Sequence, residues 1–209
     1  MNGSSSREWL VPLTGVAFVV FLIVSFIVGG EPKDAGHPAQ EIVDWYVDNK
    51  DSAEIGAIIG VVAGVFLIFF AAYLRKVLEA AEGQNSTLPI LVVIGLAIVA
   101  VGGAIDGMIL FATAEAADDI EPASVQTLQA LWDNDFLPFI LGTLVFLWSA
   151  GISVIRTGAL PRWLGWVAIV LGIVGVTPIG FAAALGGALW ILVASILLSV
   201  RARSAPATA

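Results

Sequence analysis

One carboxylate, Asp106, lies inside a long apolar stretch of this sequence and is the residue best suited to carry chemistry. An ionised acid at the centre of a membrane helix costs about 2.5–3.5 kcal/mol on insertion scales, so it is expected to face other protein groups. Gly95, Gly102 and Gly103 share its helical face, which lets a second helix come close. Two interpretations follow. Asp106 is a protonatable or ligand-binding group, or it is an acid near the outer boundary, bonded to a serine, a tryptophan N–H or water.

Other chemistries lack the residues that they need. The chain has no cysteine, which excludes disulfides, iron–sulfur clusters and cysteine nucleophiles. The only histidine, His37, precedes Pro38 in a loop, and one ligand does not make a metal site. A retinal-type Schiff base needs a lysine within an apolar segment, and an intramembrane aspartyl protease needs a second aspartate there. We therefore predict no catalytic residue, no metal and no cofactor.

Glycines recur at intervals of four residues in two apolar segments. Gly56, Gly60 and Gly64 form a doubled G-x-x-x-G, and Gly103 and Gly107 repeat the spacing. Small residues at this spacing allow two helix backbones to approach and to gain van der Waals contact that lipid cannot match. The pattern predicts helix packing, either within the chain or between two copies of it.

Composition indicates that membrane helices must position these residues. Hydrophobic residues make up 59% of the chain and charged residues only 12%, with a mean hydropathy of +0.98. A soluble domain carries roughly 25% charged residues. Six apolar runs predict spans across a hydrocarbon core about 30 Å thick, with a tight hairpin at Pro178–Gly180 between the last two. The runs are Trp9–Val28, Ala53–Leu74, Leu88–Ala114, Phe136–Ile155, Trp163–Ile179 and Phe181–Val200.

The charged residues predict the orientation of these spans. With a cytoplasmic N-terminus, seven of the nine basic residues fall on the inner side: Arg7, Arg75, Lys76, Arg156, Arg162, Arg201 and Arg203. Only Lys33 and Lys50 fall outside, so the positive-inside rule favours cytoplasmic N- and C-termini. Most of the acids lie in the two outer segments, residues 31–54 and 115–135. Nucleic-acid binding is excluded because it needs a basic stripe.

Each outer segment contains a short amphipathic pattern. The predicted apolar faces are Ile42, Val43, Tyr46 and Val47 in residues 38–47, and Val125, Leu128, Leu131 and Trp132 in residues 122–132. We expect two short extracytoplasmic helices that lie on the membrane surface or cap the bundle. Trp45, Tyr46 and Trp132 are typical of the headgroup zone. Residues 133–135, Asp-Asn-Asp, predict the N-cap of the next helix, with Pro138 in its first turn. The alternative for these residues is a cation site formed with the other outer acids.

The turn between the fourth and fifth runs has two bracketing arginines, Arg156 and Arg162, followed by Trp163 and Trp166. Gly158 permits an unusual backbone angle there, and a proline starts the next helix. The two arginines and two tryptophans predict an interfacial anchor or a site that recognises an anionic lipid headgroup.

Residues 157–165, TGALPRWLG, carry a resemblance to a known group. The segment resembles an element, T/S-G-x-L-P-R-x-L-G, that links the fourth and fifth helices in uncharacterised bacterial multi-pass proteins, common in actinobacteria and catalogued as a domain of unknown function. The first outer loop, with IVDWY at residues 42–46 and NKD at 49–51, is also similar. The resemblance implies a six-helix layout along most of the chain and implies no activity.

These observations predict an all-α polytopic protein of the cell membrane, with residues 1–209 forming one integral membrane domain. The leading hypothesis is a non-enzymatic structural, lipid-associating or partner-binding component, because catalysis and ion conduction usually need several polar residues within the membrane. Its partners would be the lipid bilayer, an anionic lipid, a second copy in a homodimer, or another membrane protein. The alternative is a small transporter or proton-coupled carrier that uses Asp106, with an acidic outer vestibule that concentrates cations.

Overall fold

Helices form all the regular structure in a computed structural model that describes residues 5–83, 86–177 and 179–204, and no strand occurs in these ranges. A 3₁₀-helix, Ser5–Leu13, leads directly into the first α-helix. The α-helices are α1 Thr14–Gly29, α2 Ala39–Asp48, α3 Lys50–Glu82, α4 Leu88–Ala116, α5 Pro122–Trp132, α6 Leu137–Thr157, α7 Arg162–Val174 and α8 Phe181–Ser204. The all-helical class predicted from composition is confirmed.

Five helical segments of the described chain are long and apolar enough to cross a membrane. They are Trp9–Gly29, Lys50–Glu82, Leu88–Ala116, Pro122–Thr157 and Ala182–Ser204. The remaining apolar helix, α7, has 13 residues, which corresponds to about 20 Å at the rise of an α-helix. The structure therefore provides five helices of sufficient length where the sequence predicts six spans.

The shortfall arises at the end of α7. The predicted run Trp163–Ile179 ends as a helix at Val174, five residues early. The Val174 carbonyl accepts hydrogen bonds from both the amide (3.0 Å) and the hydroxyl (2.7 Å) of Thr177, and this local turn replaces the next helical turn. Pro178, at which the sequence predicts the chain reversal, lies outside the described residues.

The apolar helices pack as a ring in chain order. Helix α1 packs on α3, α3 on α4, α4 on α6, α6 on α7 and α7 on α8, and α8 returns to α1 and the 3₁₀-helix. The two remaining helices, α2 and α5, pack mainly on each other and on the ends of α3 and α4. Large side chains such as Phe70, Leu74, Phe146 and Trp190 fill the interior of the ring. Trp190 orients α8, since its indole N–H donates to the Leu164 carbonyl of α7 at 2.8 Å.

The ring closes where the start of the chain meets α8. The Ser195 hydroxyl donates to the carbonyl of Pro12 and accepts from the amide of Val16 at 3.2 Å, so one side chain serves the backbone where 3₁₀ geometry changes to α geometry. Farther along α8, the Ser199 hydroxyl donates to the Trp9 carbonyl at 3.0 Å, and the Arg203 guanidinium stacks 3.7 Å over the Trp9 ring. Both ends of the described chain therefore lie at the same end of the bundle.

Glycines bring helix backbones into direct contact at the α4–α6 interface. A Cβ added at Gly95 would lie 2.7 Å from the Gly142 carbonyl oxygen, and a Cβ at Gly142 would lie 2.6 Å from the Gly95 carbonyl oxygen. Neither position has room for a side chain. Two turns along α4, Gly103 differs, because a Cβ there would meet only Phe139 Cε1, at 3.9 Å.

Gly95→Ala and Gly103→Ala form a matched pair on one helix that tests this packing. We expect Gly95→Ala to lower the free energy of unfolding by about 1–3 kcal/mol, because the added methyl group overpacks a backbone contact. Gly103→Ala should be neutral or slightly stabilising, because alanine has the higher helix propensity and meets no clash. Denaturant titration in detergent micelles, followed by circular dichroism, measures both. Equal losses in the two variants would contradict the assigned α4–α6 contact.

Candidate functional site

The two short helices form a cap on one end of the bundle. We call α2 and α5 together the cap; they lie at the positions where the amphipathic patterns predict helices. Ile42 and Tyr46 from α2 and Val125 from α5 form an apolar cluster with Ala57 of α3 and Leu110 of α4. The cap therefore packs against the bundle through apolar side chains and is not an independent surface segment.

The cap buries different side chains from those that the patterns predict. Val47 and Leu131, expected on the apolar faces, are 48% and 55% exposed. Tyr46, expected in the headgroup zone, and Gln129 are fully buried at 0% exposure. Both polar side chains can be buried because they bond to each other across the two helices: the Tyr46 hydroxyl donates to Gln129 Oε1 at 2.7 Å.

A chain of hydrogen bonds extends from this pair to the acidic loop before α2. Gln129 Nε2 donates to Asp133 Oδ1 at 2.8 Å, and the second oxygen of Asp133 accepts from the Ala35 amide at 2.8 Å. One turn earlier in α5, Gln126 Nε2 donates to the carbonyls of Ala35 and His37 at 2.9 and 3.0 Å. Together these bonds fasten residues 35–37 to α5, so that the two acidic segments form one unit.

Burial and nearby negative charge raise the pKa of Tyr46 above its ordinary value of about 10. Burial is the larger cause, because the phenolate would lose its hydration in the cap interior. The carboxylates of Asp133 and Asp106 add to the shift by repelling a phenolate. The neutral hydroxyl that bonds Gln129 is therefore maintained to strongly alkaline pH.

Asp106 lies at the junction of the cap and the bundle. One turn earlier in α4, a Cβ added at Gly102 would lie 3.1 Å from Pro138, at the start of α6. Asp106 lies one turn farther along α4, in the direction of the residues that precede α6. Asp106 is partly buried. Within the described ranges it forms no hydrogen bond or ion pair, so neither of the protein partners expected for it, a serine or a tryptophan N–H, is present.

The N-cap predicted for α6 is wrong. Helix α6 begins at Leu137 with Phe136 as its N-cap residue, and no side chain caps it. Asp133 instead bonds to Gln129 and Ala35, and Asn134 donates to the Ala130 carbonyl at 2.8 Å. Asp133 and Asn134 therefore bond back to α5, four residues earlier in the chain, and Asp133 also bonds to the loop before α2, so neither caps α6. Pro138 does lie in the first turn of α6, as predicted.

Both lysines at the acidic end form ion pairs with glutamates. Lys33 Nζ lies 2.7 Å from Glu41 Oε2, and Lys50 Nζ lies 3.3 Å from Glu115 Oε2. The hydrogen bond from Lys33 and its charge lower the pKa of Glu41. His37 Nδ1 lies 3.3 Å from Asp34 Oδ2 on the exposed surface. In the part of the chain that the structure describes, no three histidine, aspartate or glutamate side chains gather as metal ligands.

The turn with Arg156, Arg162, Trp163 and Trp166 lies at the opposite end of the bundle. All four side chains are exposed, with Trp163 at 54% and Trp166 at 60%. Gly158 ends α6 with φ +69°, the left-handed conformation that glycine adopts without steric cost. The turn is tied to the end of α8, where the Arg201 guanidinium donates to the Ala159 carbonyl.

Four of the five predicted packing glycines lie close to neighbouring helices of the same chain. A Cβ at Gly56 would strike the backbone of Gly29 in α1, and one at Gly60 would lie 3.2 Å from the Ser25 hydroxyl oxygen. The corresponding Cβ atoms at Gly64 and Gly107 would lie 3.7 Å from the Cβ of Ala100 and 3.4 Å from the carbonyl oxygen of Ala57, respectively. Gly103 has only the loose contact described above.

The sequence patterns do not identify two residues that join distant segments, Gln129 in the cap and Ser195 where the ring closes. Gln129 lies four residues after Val125, on the apolar face of α5, and this polar residue on an apolar face is the signal that was available. No signal in the sequence pairs it with Tyr46, which is 83 residues away. Ser195 was missed for the same reason, since its partner Pro12 lies 183 residues away.

Comparison with known proteins adds no relative. No family model, no curated protein and no solved structure matches this chain.

The titration of Tyr46 tests the interior of the cap. Because the pKa in the folded protein exceeds that of the unfolded chain, the stabilisation is fully present below pH 10 or so and declines as the pH rises beyond it. The chain has two tyrosines, so a Tyr73→Phe variant isolates the signal of Tyr46. We expect the tyrosinate absorbance of the folded variant to appear well above the pH at which the denatured variant titrates. Coincident titrations would show that Tyr46 is exposed to water.

Proposed function

We propose that the protein is a multi-pass protein of the cell membrane with six spans, two short extracytoplasmic helices and both termini in the cytoplasm. We propose further that it is non-enzymatic and acts as a structural, lipid-associating or partner-binding component. The observation that carries the proposal is the separation of charge along an otherwise apolar bundle. Acids are concentrated at the end with the cap, and most of the basic residues lie at the other end.

The apolar side chains exposed on the sides of the bundle support a membrane location. Large apolar side chains such as Ile27, Val65, Phe69, Met108 and Val170 are at least half exposed along the apolar helices. A soluble protein rarely exposes a continuous apolar surface of this kind, because water would drive it to associate. In a bilayer the same surface meets hydrocarbon.

Helix α7 is proposed as the sixth span despite its 13 residues. It packs between α6 and α8, and Gly165 approaches α6 so closely that an added Cβ would lie 2.9 Å from the Gly151 carbonyl oxygen. A short apolar helix that neighbouring helices hold in place can be accommodated by local thinning of the bilayer. With six spans the two termini share one side, in agreement with the basic residues near both.

A non-enzymatic role is supported by the use of polar groups inside the bundle. Ser195 and Ser199 bond to the backbone of the N-terminal segment, and the Thr113 hydroxyl donates to the Ile109 carbonyl at 2.7 Å. These buried groups satisfy helix backbones, which is their ordinary role in an apolar environment. The cap likewise uses Tyr46 and Gln129 to bond to each other.

The resemblance of residues 157–165 to the uncharacterised bacterial family remains part of the proposal. Membership would agree with a six-span layout and a short turn before the fifth span. It adds no activity. A homodimer would have to use surfaces other than Gly56, Gly60, Gly64 and Gly107, since helices of the same chain occupy these glycines.

Single cysteines can test the orientation cleanly, because the natural chain has none. We expect a membrane-impermeant maleimide to label Asp48→Cys and Asp119→Cys in intact cells, since both positions are exposed at the acidic end. Thr87→Cys and Ser204→Cys, exposed at the basic end, should react only after lysis. Labelling of Ser204→Cys but not Thr87→Cys in intact cells would contradict six spans, and a full reversal would contradict the orientation.

One observation favours the carrier as a second candidate function. Asp106 is partly buried in an apolar helix beneath the acidic end, and among the described residues it has no hydrogen-bonding partner. Such a carboxylate can exchange a proton or a cation with an acidic vestibule.

Flux measurements on reconstituted vesicles separate the two functions. Under the leading proposal, wild type, Asp106→Asn and the exposed-acid control Asp119→Asn all show the proton and cation flux of protein-free vesicles. Flux in wild type that survives in Asp119→Asn and falls at least tenfold in Asp106→Asn would establish the carrier instead.

A further inference from the structure

A groove opens between α3 and α4 at the basic end of the bundle. Ala72, Arg75, Lys76 and Glu79 of α3 line it together with Val93 of α4, and its volume is about 280 Å³. We call the apolar part of its lining, Ala72 and Val93, the floor, and the charged part, Arg75, Lys76 and Glu79, the rim.

The rim of the groove carries unneutralised positive charge. Arg75 Nε donates to Glu79 Oε1 at 2.7 Å, which leaves the other guanidinium N–H groups free for an anion. Lys76 is exposed and forms no ion pair with any described residue. The three charges sum to one net positive charge beside an apolar floor.

An apolar stripe on the outer face of α3 leads into this rim. Val65, Phe69, Ala72 and Lys76 follow one another at intervals of three and four residues, which places them on one face of the helix. All four are exposed, Val65 to 51% and Phe69 to 57%. Lys76 therefore lies at the point where the apolar surface ends, which is the level of a lipid headgroup in a membrane-spanning helix.

We propose that this groove binds one anionic phospholipid, with its phosphate between Lys76 and Arg75 and an acyl chain along the stripe of Val65, Phe69 and Ala72. The proposal rests on the proposed membrane location of the bundle. It assigns to α3 a lipid contact that sequence reasoning sought at Arg156 and Arg162. At that turn both arginines are exposed, and a Cβ at Gly158 would meet nothing within 4 Å.

Glu79 sets the strength of the site, because it competes with the phosphate for Arg75. Its Oε1 occupies the Nε position that a bidentate phosphate contact would use. Removing the Glu79 charge should therefore strengthen lipid binding, whereas removing the Lys76 charge should weaken it. Opposite responses from adjacent turns of one helix distinguish a specific site from general attraction to a basic end.

Native mass spectrometry of the detergent-solubilised full chain, titrated with phosphatidylglycerol, provides the test. We expect Lys76→Gln to weaken the tightest binding event about fivefold and Glu79→Gln to strengthen it severalfold. Arg162→Gln, an exposed basic residue at the same end, should leave it unchanged. Because Glu79→Gln is expected to bind the lipid more tightly, a misfolded variant cannot imitate the result. Equal losses in Lys76→Gln and Arg162→Gln, or no gain in Glu79→Gln, would overturn the proposal.

The source of the anion and the location of the lipid are tested separately. An excess of inorganic phosphate should not displace phosphatidylglycerol, because it lacks the acyl chain; displacement would show a phosphate site and overturn the lipid assignment. A photoactivatable phosphatidylglycerol should crosslink to residues 65–79 or 88–94, and crosslinks confined to residues 156–166 would also overturn it. Cysteine labelling reports the membrane topology independently, so failure of the groove and failure of the proposed function can be told apart.

Discussion

The need of every backbone amide and carbonyl for a partner within the protein governs this structure. In an apolar environment water cannot supply that partner, and an α-helix supplies it locally. The helix changes from 3₁₀ to α geometry between Pro12 and Val16, and there the hydroxyl of Ser195 bonds to a backbone carbonyl and a backbone amide. The same contact joins the first and last helices and closes the ring. One side chain therefore both satisfies the backbone and closes the fold.

The two ends of the bundle meet the same need in different ways. At the basic end, side chains of α8 bond to backbone carbonyls of the first segment and of the α6–α7 turn. At the acidic end, the cap pairs Tyr46 with Gln129 in an interior that excludes water. An unpaired amide or phenol in that interior would cost about 1–3 kcal/mol, so the pair specifies how α2 meets α5.

Local patterns predict most of the helices of this chain and fewer of their contacts. The apolar runs locate α1, α4, α6 and α8 to within five residues, because apolar length is a local property. The run predicted for α3 ends at Leu74, whereas the helix continues to Glu82. The runs overestimate α7, since the hydroxyl of Thr177 ends the helix through a bond that hydropathy does not record. Within the cap, Val47 and Leu131 are exposed and Gln129 is buried, because the partner helix decides which face is covered.

The amino-acid sequence by itself determined the all-helical class, the helices long and apolar enough for a membrane, and the segregation of acids from bases, since composition and periodicity are properties of the unfolded chain as well. Only the tertiary structure decided which glycines meet which helix, that Tyr46 of α2 bonds to Gln129 of α5, and that Arg75 and Lys76 border a groove. These features depend on residues from different helices coming together, and the distance along the chain between such residues carries no local signal.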